Sequence, residues 1–514
     1  MSLFDQGWRA AGLMLHLTSL PGPYGIGDLG PAAHSFLDFL QKAGVHFWQV
    51  LPVNPTGPGL GNSPYSAYSA FAGNELLVSP ALLVEEGWVT QAQADRARQP
   101  QTDQVDFPGT VGLKTALLDA AYAKVGFGLL DREDFSRFAW ANAMWLNDYA
   151  FFMTAREDFG GGPWTSWPDG LRRRDDRELD VHGRRLAEKI LRVKFGQFLF
   201  FSQLKRLKDA AARRGIRLMG DTALYVNHDS SDVWANRRLF MLEPDGSPRL
   251  VAGVPPDYFS ETGQLWGNPV FDWPANEADG YGWWVSRIRH NLEMFDWIRL
   301  DHFRAFCAYW SVAAGEETAR NGEWVGGPGA GLFERASEGG RLNLVAEDLG
   351  VITPDVTELR KKFDYPGMRV LHFAFNSDQP LSTHCFFRIE PDNLVYAGTH
   401  DNNTTRGWFD RDLDRGARRR LSDLAGREVD SSSAAWTLIR LAYLSPGALA
   451  VVTAQDVLDL GAEARLNTPG VPSGNWGWRL RSPDQLTPAL ADRLAELGAL
   501  AGRDNLAHPN VLTY

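Results

Sequence analysis

Short apolar runs alternate with segments of helical periodicity along most of the chain. Helical patterns include 31–43, with Pro31 at its start and Gly44 after its end, and 282–295. Repeated alternation of buried strand and helix predicts an α/β fold, a (β/α)8 TIM barrel. The eight runs that have the length and apolar content of buried strands are 13–17, 47–53, 216–226, 297–303, 342–348, 368–375, 394–400 and 448–455.

Two connections between these strands are too long to be simple crossovers. Residues 54–214 contain helical stretches at 135–156 and 184–214, which predict an inserted, largely helical subdomain. Residues 236–280 are irregular and dense in proline, glycine and tryptophan, and we expect them to form a lid over the barrel mouth. The last helical pattern, 488–500, lies near the end of the chain, so residues 1–514 are predicted to form one catalytic barrel without a C-terminal β-sandwich domain.

Net charge and composition argue against two classes of binding partner, nucleic acid and membrane. The net charge of -11 favours neither nucleic acid nor an anionic membrane surface, because both would repel the protein. No apolar stretch is long enough for a membrane span, and the first residues lack a basic segment followed by an apolar one. Two cysteines, Cys307 and Cys385, fit a reducing compartment. We therefore expect a cytoplasmic monomer that binds neither nucleic acid nor membrane.

Three of the predicted strands end beside an acidic residue: Asp301, Glu347 and Asp401. A carboxylate at the end of a buried strand is unfavourable unless it is paired, so the three indicate strand ends that converge on one polar pocket. Paired carboxylates are typical of enzymes that cleave glycosidic bonds, where one attacks the anomeric carbon and the other transfers a proton. Magnesium binding and structural ion pairs are the alternatives for each residue taken singly.

Aromatic residues also occur in loops rich in glycine, proline and asparagine, as at Tyr65, Tyr68, Trp266, Trp476 and Trp478. Many rings must belong to the core, but loop aromatics often stack on flat ligands such as sugar faces. This pattern agrees with a carbohydrate ligand.

Other functional motifs are incomplete or missing in the sequence. The glycines of Gly25–Gly30 match the dinucleotide-binding spacing, yet two prolines separate them from the preceding strand and no acidic residue follows at the expected distance. The segment Gly326–Gly331 lacks the Lys-Ser/Thr of a phosphate loop. No H-E-x-x-H, zinc-type Cys/His spacing or G-x-S-x-G is present.

Nine stretches together resemble the amylomaltase family, the 4-alpha-glucanotransferases or disproportionating enzymes of the α-amylase clan. Pro255-Pro-Asp-Tyr-Phe-Ser260 and Asn467-Thr-Pro-Gly470 are the most specific of them. The nine run along nearly the whole chain: Leu17–Gly30, Trp48–Pro52, Ser63–Asn74, Gly220–Val226, Gly253–Pro269, Arg299–Arg304, Ala346–Gly350, Gly398–Asn402 and Arg465–Gly470.

The resemblance implies a retaining double displacement on α-1,4-glucan donors and acceptors, with cyclic glucans as possible products. Asp301 would be the nucleophile, Glu347 the general acid/base, and Asp401 the acid that binds hydroxyls of the distorted ring. Arg299, two residues before Asp301 and on the same side of the strand, can keep that carboxylate ionised. Neither a cofactor nor a metal is expected.

The remaining matched positions imply contacts with sugar. Ser63 and Tyr65 would line the donor side, and Asp221 would support the site or merely cap a loop. Gly57–Asn62 departs from the family because it has no aromatic residue, which puts a second glucan contact in doubt. The other implied substrate-binding residues are Asp257, Tyr258, Trp266, Arg299, His302, His400 and Asn467; for the two histidines a structural role is equally open.

Three other functions are compatible with part of the sequence. A hydrolase of the same clan would share the carboxylates, although the Pro-Pro-Asp-Tyr-Phe segment favours transfer. A catalytically silent glucan-binding protein would lack one of the acids, and all three are present. A metal-dependent barrel enzyme would need more histidine or glutamate partners near the acids than the sequence offers.

Overall fold

The computed structural model describes residues 9–256, 260–376, 378–471 and 473–504. Within these ranges twelve strands form two sheets, with strand order β10-β11-β12-β1-β2-β3-β6-β9 in one and β5-β4-β7-β8 in the other. The strands are β1 (Ala10–Met14), β2 (Phe47–Gln49), β3 (Arg217–Thr222), β4 (Leu250–Val254), β5 (Gln264–Pro269), β6 (Trp297–Leu300), β7 (Ala308–Ala313), β8 (Gly322–Gly326), β9 (Leu344–Ala346), β10 (Gly367–Val370), β11 (Asn393–Tyr396) and β12 (Leu449–Thr453).

The eight-stranded sheet is a nearly closed parallel barrel, which confirms the predicted α/β fold. Each of the eight apolar runs overlaps one of its strands, although β1 begins three residues before its run and β10 and β11 each begin one residue before theirs. The strands are almost entirely buried because a parallel barrel is covered on both faces. Some runs extend past their strand. In the second run, for example, Leu51 and Val53 are buried in the loop that follows β2.

The barrel closes at a seam between β9 and β10, which do not form a continuous ladder in the sheet order. The N–H of Ala346 donates to the carbonyl oxygen of Pro366 at 2.9 Å. The N–H of Met368 donates to a side chain instead, the Asp348 carboxylate, at 2.7 Å. A carboxylate therefore takes the place of a backbone acceptor where the first and last strands of the sheet meet.

Nineteen α-helices occur in the described ranges, and α2 to α9 all lie within residues 54–214. They are α1 (Pro31–Lys42), α2 (Pro80–Glu85), α3 (Gln91–Asp95), α4 (Phe107–Ala123), α5 (Glu133–Ala141), α6 (Ala143–Asp158), α7 (Asp169–Arg172), α8 (Asp176–Arg185), α9 (Ala187–Arg213), α10 (Ser231–Ala235), α11 (Trp273–Ala278), α12 (Gly282–Met294), α13 (Gly329–Ala336), α14 (Pro354–Lys362), α15 (Thr405–Gly407), α16 (Arg415–Ala425), α17 (Ser431–Leu444), α18 (Ala454–Val457) and α19 (Pro488–Leu500). None of the helices in the described part of the chain is long and apolar enough to cross a membrane.

The helical stretch read from the sequence at 135–156 is two helices rather than one. Asn142 separates α5 from α6, with φ -105° and ψ 10° outside the helical region. Its side-chain amide donates to the Phe138 carbonyl at 2.9 Å, and its backbone N–H donates to the same carbonyl at 3.1 Å, so the side chain adds a second donor at the end of α5.

The segment 236–280, which looked irregular in sequence, contains two strands of the second sheet. Strand β4 pairs antiparallel with β5 and with β7, and β7 pairs with β8. Strands β7 and β8 come from the long connection between β6 and β9, where no strand was predicted. The aromatic segment is thus supported by a sheet built from two separate parts of the chain.

Candidate active site

Arg299 is the electrostatic centre of the carboxylate cluster at the carboxyl ends of the barrel strands. It lies in β6 with its side chain only 5% exposed. Its Nη1 donates to both carboxylate oxygens of Asp221, at 3.0 and 2.8 Å, and its Nη2 lies 2.9 Å from Oδ1 of Asp301. One guanidinium therefore fills the space between Asp221 and Asp301 and pairs with both.

Glu347 follows β9 and is fixed by two backbone donors. Its Oε2 accepts the N–H of His302 at 2.8 Å, and its Oε1 accepts the N–H of Leu349 at 3.1 Å. His302 has a left-handed backbone, with φ 51°, which is uncommon for a residue other than glycine. Because His302 directly follows Asp301, this bond brings the Asp301 and Glu347 segments together.

The protonation state of Glu347 is unusual for a carboxyl group. Burial raises the pKa of Glu347 to about 8, and the negative charge of Asp301 acts in the same direction. The Arg299 charge and the N–H of His302 oppose this shift without cancelling it. At neutral pH, Glu347 therefore carries a proton that it can donate.

Asp401 is the most open of the three acids, with 45% of its side chain exposed. Its Oδ1 accepts a hydrogen bond from Nδ2 of Asn467 at 2.6 Å, and its Oδ2 lies 3.4 Å from Nε2 of His400. Arg465 donates from Nη2 to the backbone carbonyl of Asp401 at 2.8 Å. The carboxylate is oriented by these groups while one side stays open to a ligand.

Tyr65 contacts both Asp221, which pairs with Arg299, and His400, which lies beside Asp401. Its hydroxyl donates to Oδ2 of Asp221 at 2.9 Å, and its ring stacks on His400 with centroids 5.1 Å apart and planes 14° from parallel. Trp476 packs against the same pair, 5.9 Å from the Tyr65 ring. Ser63 supports the turn, because its Oγ accepts the N–H of Tyr65 at 3.3 Å.

Trp266 brings an aromatic ring from the second sheet to the site. It lies in β5, is 39% exposed, and makes an edge contact with His302 at a centroid distance of 5.0 Å. Burial lowers the pKa of His302 to about 4, despite the opposing charge of Asp301, so this imidazole is neutral at physiological pH. Asp257 and Tyr258, which the sequence also placed near the acceptor, lie outside the described residues.

Two contacts of this arrangement were not predicted from the sequence, and two tryptophans differ from their prediction. Arg465 belongs to a motif that was recognised, but nothing in the local sequence pointed to its bond with Asp401. His16, after β1, is buried near His400, and burial lowers its pKa to about 3. Trp476 and Trp478 are both buried, so these loop aromatics pack inside the protein and are not open platforms.

The donor set does not resemble a metal centre. Among the residues that the structure describes, no group of three or more His, Cys, Asp or Glu side chains is placed to hold a metal ion. The acids instead face an arginine, backbone N–H groups and an asparagine amide. A buried cation next to one carboxylate, beside a carboxyl group with a raised pKa, is an arrangement that suits transfer chemistry at a sugar carbon.

The chain is similar to known proteins over nearly its whole length. The family model of glycoside hydrolase family 77, described as 4-alpha-glucanotransferase, matches residues 15–486. The chain is 44% identical to a 4-alpha-glucanotransferase from Thermus thermophilus over 505 residues, covering 96% of this chain and 99% of that protein. It is 44% identical to one from Synechocystis over 500 residues, covering 96% and 98%. The solved structure of amylomaltase from Streptococcus agalactiae, in complex with acarbose, superposes with a TM-score of 0.92 at 34% identity, covering 97% of this chain and all of that one.

Proposed function

The chain belongs to the 4-alpha-glucanotransferases of glycoside hydrolase family 77, and we propose that Asp301, Glu347 and Asp401 carry out its reaction on α-1,4-glucans. The observation that carries this assignment is that two neighbouring carboxyl groups of the cluster, Glu347 and Asp301, lie in different electrostatic environments. Glu347 has a pKa raised to about 8, while the neighbouring Asp301 faces the guanidinium of Arg299 at 2.9 Å. A proton donor and a charged nucleophile are the two groups that a retaining glycosidic exchange needs.

In the first step, the Asp301 carboxylate attacks the anomeric carbon of the donor glucan. The bond from that carbon to the glycosidic oxygen breaks, and the proton of Glu347 passes to the departing oxygen. The products are a shortened glucan with a free 4-hydroxyl and a glucosyl ester on Asp301. We propose a separation of about 5–5.5 Å between the two carboxyl groups, the spacing of retaining enzymes.

In the second step, the 4-hydroxyl of an acceptor glucan attacks the same carbon. Glu347, now a carboxylate, takes the hydroxyl proton, and Asp301 leaves as a carboxylate. Two inversions restore the α configuration, and the new bond is equivalent to the one broken. When the far end of the same glucan supplies the hydroxyl the product is cyclic, and when water attacks instead the donor is hydrolysed.

Surrounding residues hold the sugars in this scheme. Asp401, Asn467 and His400 bind hydroxyls of the ring at the cleavage point, and Tyr65 with Ser63 lines the donor side. Trp266 covers the acceptor side and limits access of water. Asp221 acts through Arg299, and Asp257 and Tyr258 contact the acceptor.

The test is incubation of the purified protein with maltotriose, followed by separation of products by chain length. Transfer gives glucose together with glucans longer than maltotriose. Glucose and maltose without longer products would identify a hydrolase of the same clan, and unchanged maltotriose would identify a binding protein without activity. Size-exclusion chromatography of the same sample tests the expected monomer.

A further inference from the structure

Glu347 and Asp348 are adjacent in sequence but are anchored to opposite sides of the barrel seam. The N–H of Glu347 donates to the Leu300 carbonyl at 3.0 Å, and the Glu347 carbonyl accepts the N–H of Phe303 at 3.1 Å, so its backbone is bonded to the β6 segment. The Asp348 side chain is bonded to β10 instead. Its Oδ1 accepts the N–H of Met368 in β10 at 2.7 Å.

The Asp348 side chain is buried, with 5% exposed, and is enclosed by one charged partner from β10 and one from α14. Nη1 of Arg369 lies 3.1 and 3.2 Å from its two oxygens, and Nε of Arg360 lies 3.5 Å from Oδ2. Gly367 provides the space, because a Cβ at that position would lie 2.5 Å from Oδ2 of Asp348. The buried carboxylate is therefore paired and hydrogen-bonded, and its partners tie the end of β9 to β10.

We propose that Asp348 is a positioning residue for Glu347, whose carboxyl group it keeps in register with Asp301 by joining β9 to β10 across the open seam. This inference rests on the proposed role of Glu347 as the proton donor. The seam has few backbone bonds, so the side-chain bond to Met368 N–H limits how far the end of β9 can move. A displacement of about 1 Å in a proton donor costs on the order of a hundredfold in rate.

The test compares a substrate that needs the proton of Glu347 with one that does not. Maltotriose transfer needs it. With α-maltosyl fluoride and azide, fluoride leaves as an anion and azide then displaces Asp301, so neither step requires proton transfer. The variant is Asp348→Asn, which preserves an acceptor for the Met368 N–H but loses the charge that pairs with Arg369. Gly367→Ala is the second variant, since it crowds the carboxylate and preserves its charge.

The matched control is Asp28→Asn. Asp28 is also buried, accepts the N–H of Gly30 at 2.9 Å and lies 3.5 Å from the ammonium of Lys114, so it is an equivalent buried carboxylate with other partners. Any loss of activity that comes only from a weakened ion pair should appear in this variant as well. Melting temperatures of all variants show how much each one destabilises the fold.

We expect Asp348→Asn to lower kcat for maltotriose transfer by about tenfold or more, while formation of maltosyl azide changes by less than about threefold. The alkaline limb of its pH profile should move to lower pH, because the Asp348 charge helps to raise the pKa of Glu347. Gly367→Ala should slow transfer without that shift in pH, and Asp28→Asn should leave the ratio of the two rates unchanged.

Two results would overturn the inference. One is equal loss of both reactions in Asp348→Asn, which indicates a purely structural role, and the other is no loss in either. Glu347→Ala separates this from failure of the proposed function. If it loses transfer but retains azide product, the assignment of Glu347 stands and the Asp348 variants are decisive. If it loses both reactions, or neither, the role of Glu347 itself is wrong.

Discussion

Replacing Glu347 with glutamine should stabilise the protein while abolishing transfer. Burial and the Asp301 charge raise the pKa of Glu347 from 4.5 to about 8. The folded state therefore binds the proton more tightly than the unfolded state, and the wild-type protein loses stability as pH rises through that interval. Glutamine resembles the protonated acid in shape and cannot ionise, but its NH2 group cannot accept one of the two backbone N–H bonds that the Glu347 carboxyl group receives from His302 and Leu349.

The size of the effect follows from the same shift. The pKa difference between 4.5 and about 8 corresponds to about 5 kcal/mol of stability. Solvent screening at the half-buried carboxyl group reduces the gain of Glu347→Gln, and so does the contact of the amide with the N–H donors of His302 and Leu349. The remaining gain is about 1–3 kcal/mol near pH 8. For a chain of 514 residues, each 1 kcal/mol changes the melting temperature by about 1 °C. We expect Glu347→Gln to melt about 1–3 °C above wild type at pH 8.

The assay is thermal unfolding of both proteins at several values between pH 5 and pH 8.5. The advantage of Glu347→Gln should be smallest near pH 5, should grow as pH rises, and should level off above about pH 8. An exposed glutamate such as Glu358, changed to glutamine, provides the control. A difference that is constant with pH, or that shrinks as pH rises, would refute the raised pKa and the reasoning built on it.

Three further predictions concern catalysis. The kcat/KM for maltotriose should fall on the alkaline side with an apparent pKa near 8, because deprotonated Glu347 cannot protonate the leaving oxygen; a profile that is flat to pH 9 contradicts this. Asp301→Asn should abolish transfer with an unchanged circular dichroism spectrum, and near-normal turnover would remove Asp301 as nucleophile. Trp266→Ala should reduce elongation of maltotriose several-fold more than glucose release, in line with a stacking contact of about 0.5–1.5 kcal/mol; parallel loss of both rates would mean that the ring only supports its strand.

The barrel could be predicted from sequence because its strands are buried on both faces. β12, Leu449–Thr453, is a continuous apolar run for that reason, and the pattern needs no knowledge of its neighbours. β8, Gly322–Gly326, was missed because most of it is exposed and carries two glycines and a glutamate. It becomes a strand only by pairing with β7, a contact that local periodicity does not encode.

At the active site, too, local sequence signals differ from contacts that form only on folding. Asp301, Glu347 and Asp401 could be proposed from the sequence because each acid follows an apolar run, which is a local signal. The bond between Arg465 and Asp401 spans 64 positions, and the Asp348 contacts cross the seam of the barrel. Such partners are set by tertiary packing, so the sequence indicates the candidate acids better than the groups that orient them.

Identification of the covalent intermediate is the direct test of double displacement through Asp301. Glu347→Gln is mixed with α-maltosyl fluoride, which needs no proton to react, and the missing base slows the second step so that the ester accumulates. Mass spectrometry of the quenched and digested protein should find one maltosyl group on the peptide that contains Asp301. A burst of fluoride with the sugar attached to Asp401 or another residue, or fluoride release without any adduct, would contradict the double displacement through Asp301.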